Sequence, residues 1–321
     1  MHYKRRIKKK PLIILTILIV IIALICVYLF NIYKYYNSPE YKLGKAGYSE
    51  KEINEILKMD DKYIKYAMDN KYEDDFIALV NEKYFLWKNY DAYIKYIDDV
   101  YGDKKVDYSY VVSMVNTRNN YDYYTHMVST NMNAGNGILV NKYYKLPDKY
   151  APKDIVPMSN LYAYPGNSIN KEVYEAFKEM AVAANKENIV LIVNSSYRDY
   201  KSQKKIYENY KEKNGQAYAD QFAARPDFSE HQTGLALDIF TPGAGMTTFE
   251  NTKAFKWLKE NSYKYGFILR YPEGKEKLTG YSYEPWHYRY LGKDLAKKVY
   301  DSGLTFDEYY TYYLEKWGYY G

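Results

Sequence analysis

The sequence predicts an α+β domain built on a small sheet, carried behind a transmembrane helix and a helical segment. Three observations lead to this. A charge-free apolar run, Leu12 to Phe30, stands near the N-terminus. No proline occurs between Pro39 and Pro147, and the first half of that span has helical spacing. Beyond it, strand-like runs alternate with helical ones. The chain divides accordingly into a basic tail over 1–10, an anchor over 11–31, a helical segment over 32–125 and an α+β domain over 126–321.

The tail carries Lys4, Arg5, Arg6, Lys8, Lys9 and Lys10, and these six account for the whole formal excess of +6. The remaining 40 basic residues are matched by 40 acidic ones, so no basic stripe points to nucleic acid. The apolar run is about the length that crosses a bilayer as a helix. Its basic flank predicts a cytoplasmic N-terminus and an exported remainder at the cell membrane. A cleaved signal peptide has a shorter apolar core and small residues at its exit, whereas this run leaves through Tyr28, Leu29, Phe30, Asn31 and Ile32. The reading is therefore an uncleaved anchor. Cys26, the single cysteine, follows Leu24 and Ile25, which are too bulky for a lipoprotein site. With no other cysteine, the exported part is held by burial or a metal rather than by disulfides.

In the helical segment, Ser49-Glu50-Lys51-Glu52 fits a capping box, in which the Ser49 hydroxyl and the Glu52 carboxylate satisfy exposed amides at a helix start. Stripes through Ile53, Ile56 and Leu57, through Phe76, Leu79 and Val80, and through Tyr90, Tyr93, Ile94 and Ile97 predict two or three short helices between Ser49 and Val100. No chemical motif appears there. A wall-binding or spacer module and a helical prelude to the next domain fit equally well.

In the α+β domain, Ile138-Leu139-Val140 reads as a strand, Lys171 to Asn185 as a helix, and Ile189 to Val193 as a buried strand. S-S-Y-R-D-Y and a polar helix from Tyr200 to Lys213 follow. Ser229 to Phe240 then reads S-E-H-Q-T-G-L-A-L-D-I-F. A helix near Thr252 to Asn261, a strand from Phe267 to Tyr271, the segment Y-E-P-W-H-Y-R-Y and two closing helices complete the chain. Thr305 to Glu308 would cap the last of them.

The twelve residues from Ser229 pose a physical problem. Alternation puts Leu235, Leu237 and Ile239 on one face of an extended chain and Ala236, Asp238 and Phe240 on the other. An ionised carboxylate in such a setting is costly unless it is paired or holds a metal. Of the four histidines, His2 lies in the tail and His126 in a polar stretch, which leaves His231 and His287. A zinc site that performs chemistry takes three protein ligands and keeps one open position, and His231, Asp238 and His287 supply that set. A hydrolase also needs a carboxylate to move a proton, and Glu284 stands three residues before His287. In a strict strand those two would face opposite sides, so a turn or bulge is expected at Pro285. Arg198, just beyond a buried strand, is placed to stabilise charge developing on an oxygen.

S-x-Y-R, S-E-H-Q-T-G-L-A-x-D and E-P-W-H, in this order and at these separations, resemble the VanY-type zinc D-alanyl-D-alanine carboxypeptidases, relatives of the VanX dipeptidases. The resemblance runs from about Asn136 to Gly303. It implies the fold those peptidases share with the Hedgehog zinc domain, a small antiparallel sheet with flanking helices. It also implies one zinc on His231, Asp238 and His287, Glu284 as general base and then acid, and Arg198 polarising the scissile carbonyl. Ser229 would help hold the substrate's terminal carboxylate, Gln203 would line the site, and Trp286 would wall the pocket for the small D-alanine side chain. The implied substrates are peptidoglycan stem peptides or lipid-linked precursors ending in D-Ala-D-Ala. L,D-carboxypeptidase action on tetrapeptide stems fits the same motifs. A zinc-stabilised receptor domain without catalysis is the rival reading, against which Glu284 and Arg198 both weigh. Two positions depart from the pattern: Asp199 stands where Ser is common after Y-R, and Asp227 where Gly is common after Pro226.

Overall fold

A computed structural model describes residues 9–102 and 104–315. Lys4, Arg5, Arg6 and Lys8 of the cationic tail lie outside the described residues. The chain forms two compact units that divide between Glu82 and Lys83.

The first unit opens with α1 (Lys9–Tyr36), whose stretch Ile13–Tyr36 is long and apolar enough to cross a membrane. Four short helices follow: α2 (Pro39–Ala46), α3 (Glu50–Ile56), α4 (Asp61–Asp69) and α5 (Phe76–Val80). The capping box starts α3: the Glu52 N–H donates to Ser49 Oγ at 3.4 Å, and the Ser49 N–H donates to Glu52 Oε2 at 2.8 Å. Leu43, Ile56, Ala67, Phe76 and Leu79 are wholly buried, so one residue or two from each helix builds this small core.

The second unit begins with α6 (Tyr90–Val100) and α7 (Tyr108–Asn116). Between Ser49 and Val100 there are thus four α-helices among the described residues, where the sequence pattern suggested two or three. Residues 83–125, grouped with the helical segment on sequence, cluster with this second unit. Two short ladders follow, β1 (Val128–Ser129) parallel to β2 (Tyr144–Lys145), and β3 (Ile155–Pro157) antiparallel to β4 (Ser168–Asn170). Next in order come α8 (Lys171–Asn185), β5 (Ile192–Ser195), α9 (Tyr200–Asn214), α10 (Gln216–Phe222), β6 (Ala236–Phe240) and α11 (Lys253–Asn261). The chain continues through β7 (Phe267–Tyr271), α12 (Glu276–Thr279), β8 (Glu284–Tyr290), α13 (Lys293–Ser302) and α14 (Phe306–Tyr309).

The last four strands make one antiparallel sheet in the order β5-β6-β8-β7. Leu235, Leu237 and Ile239 pack with Val173, Phe177 and Met180 of α8 and with Phe255 and Leu258 of α11. Each such side chain contributes about 1.5–3 kcal/mol when fully buried. Phe240, expected on the face of Asp238, joins this core as well, against Phe249 and Trp286. Ile138-Leu139-Val140 is buried but irregular, contrary to the strand expected there. Side chains meet its backbone acceptors instead of a ladder: Arg289 Nη2 donates to the Ile138 carbonyl at 2.7 Å and the Thr130 hydroxyl to that of Leu139.

Candidate active site

Strand register sets the site. Asp238 on β6 lies directly across from His287 on β8, so the two side chains share one face of the sheet. His231 reaches them from a single 3-10 turn, Glu230–Thr233, that enters β6. Gly234 closes this turn at φ 71, a conformation that favours glycine, and a Cβ there would also stand 2.7 Å from Ile155 Cδ1 and make that side chain shift. Glu284 begins β8 opposite Tyr271. From Leu269↔Tyr288 to Tyr271↔Glu284 the register shifts, with β8 running four residues against two on β7. This bulge around Pro285 brings Glu284 back to the side of His287.

The ligating atoms converge. Asp238 Oδ1 is 3.2 Å from His287 Nδ1 and 3.5 Å from His231 Nε2, and the three atoms lie within 4.8 Å of one another. Glu284 Oε2 is 3.5 Å from His287 Nδ1. The far nitrogen of His231, Nδ1, is 2.7 Å from the Ser196 carbonyl, which accepts its proton and leaves Nε2 to face Asp238.

Burial pushes the Glu284 carboxyl up to about 7, with Asp238 adding to the rise and His287 opposing it. Burial also pushes His231 down to about 4, and Arg198 works in the same sense. Burial opposes a charge on His287 too, but its contacts with Asp238 and Glu230 prevail and raise it to about 9. For Asp238 the desolvation is overcome by the two imidazoles, which hold it well below the usual carboxylate range.

The other predicted residues sit at different removes. The Arg198 N–H donates to the His231 carbonyl at 3.1 Å, which ties the end of β5 to the metal-facing turn. Its Nε is buried without a hydrogen-bond partner, and Asp238 and Glu284 are the first two anions to support its charge against burial. Ser229 stands just before the turn that carries His231, its carbonyl accepting from the Gln232 N–H at 3.1 Å, and is buried. The Trp286 ring packs nearly parallel to Phe240, 6.0 Å between centroids. Gln203 on α9 donates to the Ala224 carbonyl at 2.7 Å and keeps a buried Oε1 unpaired.

Both departures from the family pattern have local explanations. Asp199 is the N-cap of α9 and accepts from the Ser202 N–H at 2.8 Å, a task serine also performs. Asp227 adopts φ 68, the region glycine favours, and its carboxylate accepts from the Lys149 N–H and from Gln232 Nε2.

Sequence reasoning missed Glu230. Its side chain is buried, with Oε2 3.3 Å from His287 Nε2, while Oε1 accepts from Arg270 Nε and Arg289 Nη1, both at 2.8 Å. Arg270 also pairs with Asp307. Burial alone would raise Glu230, but Arg270, Arg289 and His287 together hold it far below the ordinary range. A signal existed: Arg270 and Arg289 interrupt the strand-like runs F-I-L-R-Y and H-Y-R-Y, and a buried arginine needs a buried anion.

These residues fit zinc. Ligands at about 2.0–2.1 Å in a tetrahedron stand about 3.3 Å apart, which the 3.2 and 3.5 Å separations match. Asp238 Oδ1 is a buried oxygen with no hydrogen-bond partner, as an atom reserved for a cation would be. Two imidazoles and one carboxylate also form a set that zinc takes in catalytic sites.

Comparison with known proteins agrees with this geometry. Residues 166–293 match the VanY family, described as D-alanyl-D-alanine carboxypeptidase. The chain is 44% identical over 179 residues to the Bacillus subtilis (strain 168) protein YodJ, covering 54% of this chain and 66% of YodJ, just short of two thirds of its length. It is 34% identical over 181 residues to the bifunctional D-Ala-D-Ala dipeptidase and D-Ala-D-Ala carboxypeptidase VanXYC of Enterococcus gallinarum, covering 54% of this chain and 93% of that one. Among solved structures, the LD-carboxypeptidase LdcB superposes with a TM-score of 0.55 at 38% identity, over 65% of this chain and 92% of that one.

Proposed function

We propose, from the premise that this chain belongs to the VanY family of D-alanyl-D-alanine carboxypeptidases, that it is a zinc carboxypeptidase removing the terminal D-alanine from peptidoglycan stem peptides. One observation carries the reading: a His-Asp-His cluster with a protonatable carboxylate, Glu284, 3.5 Å from one of its imidazoles. A purely structural zinc would have four protein ligands and no use for that carboxylate or for Arg198.

His231 Nε2, Asp238 Oδ1 and His287 Nδ1 would hold the metal. When bound, zinc makes a water acidic near neutral pH and polarises a carbonyl oxygen. Glu284 takes the proton of the attacking water and hands it to the departing D-alanine amine; a carboxyl near 7 is suited to both transfers. Arg198 presents its guanidinium to the carbonyl oxygen as negative charge gathers there. Ser229 helps hold the free terminal carboxylate, Gln203 lines the approach, and Trp286 limits the pocket to a small side chain. These assignments rest on proximity for Glu284 and Arg198 and on the family pattern for Ser229, Gln203 and Trp286.

A second reading within the same chemistry is L,D action on tetrapeptide stems, and the likeness to LdcB favours it. The two are separated by mass spectrometry of stem peptides incubated with the zinc-loaded full chain in detergent. Loss of one alanine from the pentapeptide alone assigns D,D action, and loss from the tetrapeptide assigns L,D. Cleavage of neither, with zinc bound, defeats the proposal in favour of a receptor domain. The apolar helix through Ile13–Tyr36 acts in this reading as a retained anchor that holds the enzyme outside the membrane. Sequencing the N-terminus of the mature protein decides between anchor and cleaved leader.

A further inference from the structure

We infer that Glu230 is a positioning residue that fixes which nitrogen of His287 faces the metal. The inference rests on the metal-site reading above and extends it to a residue outside the ligand set. The two imidazoles turn different nitrogens toward Asp238: His231 presents Nε2 and His287 presents Nδ1. Each needs its proton on the opposite nitrogen, and each has a different acceptor there. For His231 it is the Ser196 carbonyl, at 2.7 Å from Nδ1. For His287 it is Glu230 Oε2, at 3.3 Å from Nε2.

Glu230 is itself held so that only one oxygen is free for this task. Oε1 receives Arg270 and Arg289, both wholly buried, so the carboxylate cannot rotate away without breaking a charge-assisted hydrogen bond to each of two buried guanidinium groups. Arg270 is fixed in turn by Asp307, and Asp307 accepts from Asn141 Nδ2 at 2.7 Å. A buried chain of two carboxylates and two arginines thus ends in one outward oxygen aimed at the metal-binding histidine. Carboxylate partners of this kind set the tautomer and the ring orientation of a ligand and strengthen it as a donor.

Glu230→Gln tests this sharply, because the substitution inverts the hydrogen-bond demand. The glutamine oxygen goes to the arginines, its NH2 faces His287 Nε2, and that nitrogen must then accept, which drives the ring proton to Nδ1. Zinc affinity, measured by competition with a chromophoric chelator on the detergent-solubilised full chain, should fall roughly 10- to 100-fold. Glu230→Gln also leaves a buried positive charge, so the double variant Glu230→Gln/Arg289→Gln is compared with it. The double variant should regain thermal stability and keep the weakened zinc affinity. Arg289→Gln alone disturbs the same buried network but spares the acceptor, and should keep the parent affinity.

Histidine-selective 15N spectra of the zinc-loaded parent provide a readout that needs no variant. They should show one ligand histidine protonated at Nδ1 and the other at Nε2. Two Nδ1–H ligands, or a folded double variant that binds zinc as tightly as the parent, would overturn the inference. A parent chain that binds no zinc overturns the metal site itself, a result seen before any variant is compared.

Discussion

Glu284→Gln should make the protein more stable and nearly inactive at once. The carboxyl has an ordinary value of 4.5 and is pushed up to about 7 in the folded chain, chiefly because burial disfavours its charge. A folded chain that holds this proton more tightly loses stability as pH rises from about 4.5, and the loss is complete above about 7. At 1.36 kcal/mol per pH unit, the difference between 4.5 and about 7 corresponds to about 3 kcal/mol against the ionised, folded state. Glutamine keeps the shape and removes the charge, so about 3 kcal/mol is the upper limit of the gain. For a domain of this size each kcal/mol moves Tm by about 2–4 °C. The assay is thermal unfolding of the detergent-solubilised parent and variant, with chelator present, at pH 5 and pH 8. The variant should unfold several degrees higher at pH 8 and nearly together with the parent at pH 5. Zinc should shrink the advantage, because a nearby cation favours the ionised carboxylate. Turnover in zinc should drop roughly 10²- to 10⁴-fold, the usual worth of a positioned acid or base. Equal Tm values at pH 8, or a gain of the same size at pH 5, would refute the argument that Glu284 is a desolvated carboxylate.

Two further substitutions probe the chemistry and the scaffold. Arg198→Ala should lower kcat by about 10²–10³-fold, the range for losing one group that stabilises a developing oxyanion, while zinc stoichiometry from metal analysis stays unchanged. Gly266→Ala should destabilise the second unit by about 2 kcal/mol or more in urea unfolding. That glycine sits at φ 91, and a Cβ would stand 2.6 Å from the Tyr290 ring and 3.0 Å from the Gly292 backbone, neither of which can retreat far.

What the sequence made legible was short-range. His231, Asp238, Glu284 and His287 lie in two segments whose alternation and spacing announce a site, and the bulge at Pro285 followed from the geometry of a strand alone. The capping boxes at Ser49 and Thr305 were readable for the same reason, since each closes within four residues. Glu230 escaped because its partners Arg270 and Arg289 are brought to it only by the folded sheet, and Asp307, which holds Arg270, only by the closing helix. Ile138 to Val140 misled because apolar residues in a row say that a segment is buried, not what bonds its backbone; Arg289, from a distant strand, does that. Four helices came in place of two or three because α4 went unread: it buries only Ala67, so no run of large apolar residues marks it.

The pairing of Asp238 with His287 across β6 and β8 has a consequence for how the protein matures. The two residues lie about fifty positions apart in the chain, and a slip of one residue in their register would turn one of them to the opposite face of the sheet. The same slip would turn Leu237 and Ile239 out of the core, so apolar burial and the assembly of the three donors select one register. A metal held by His231, Asp238 and His287 would add its binding free energy to the aligned register alone, on top of what the core already contributes.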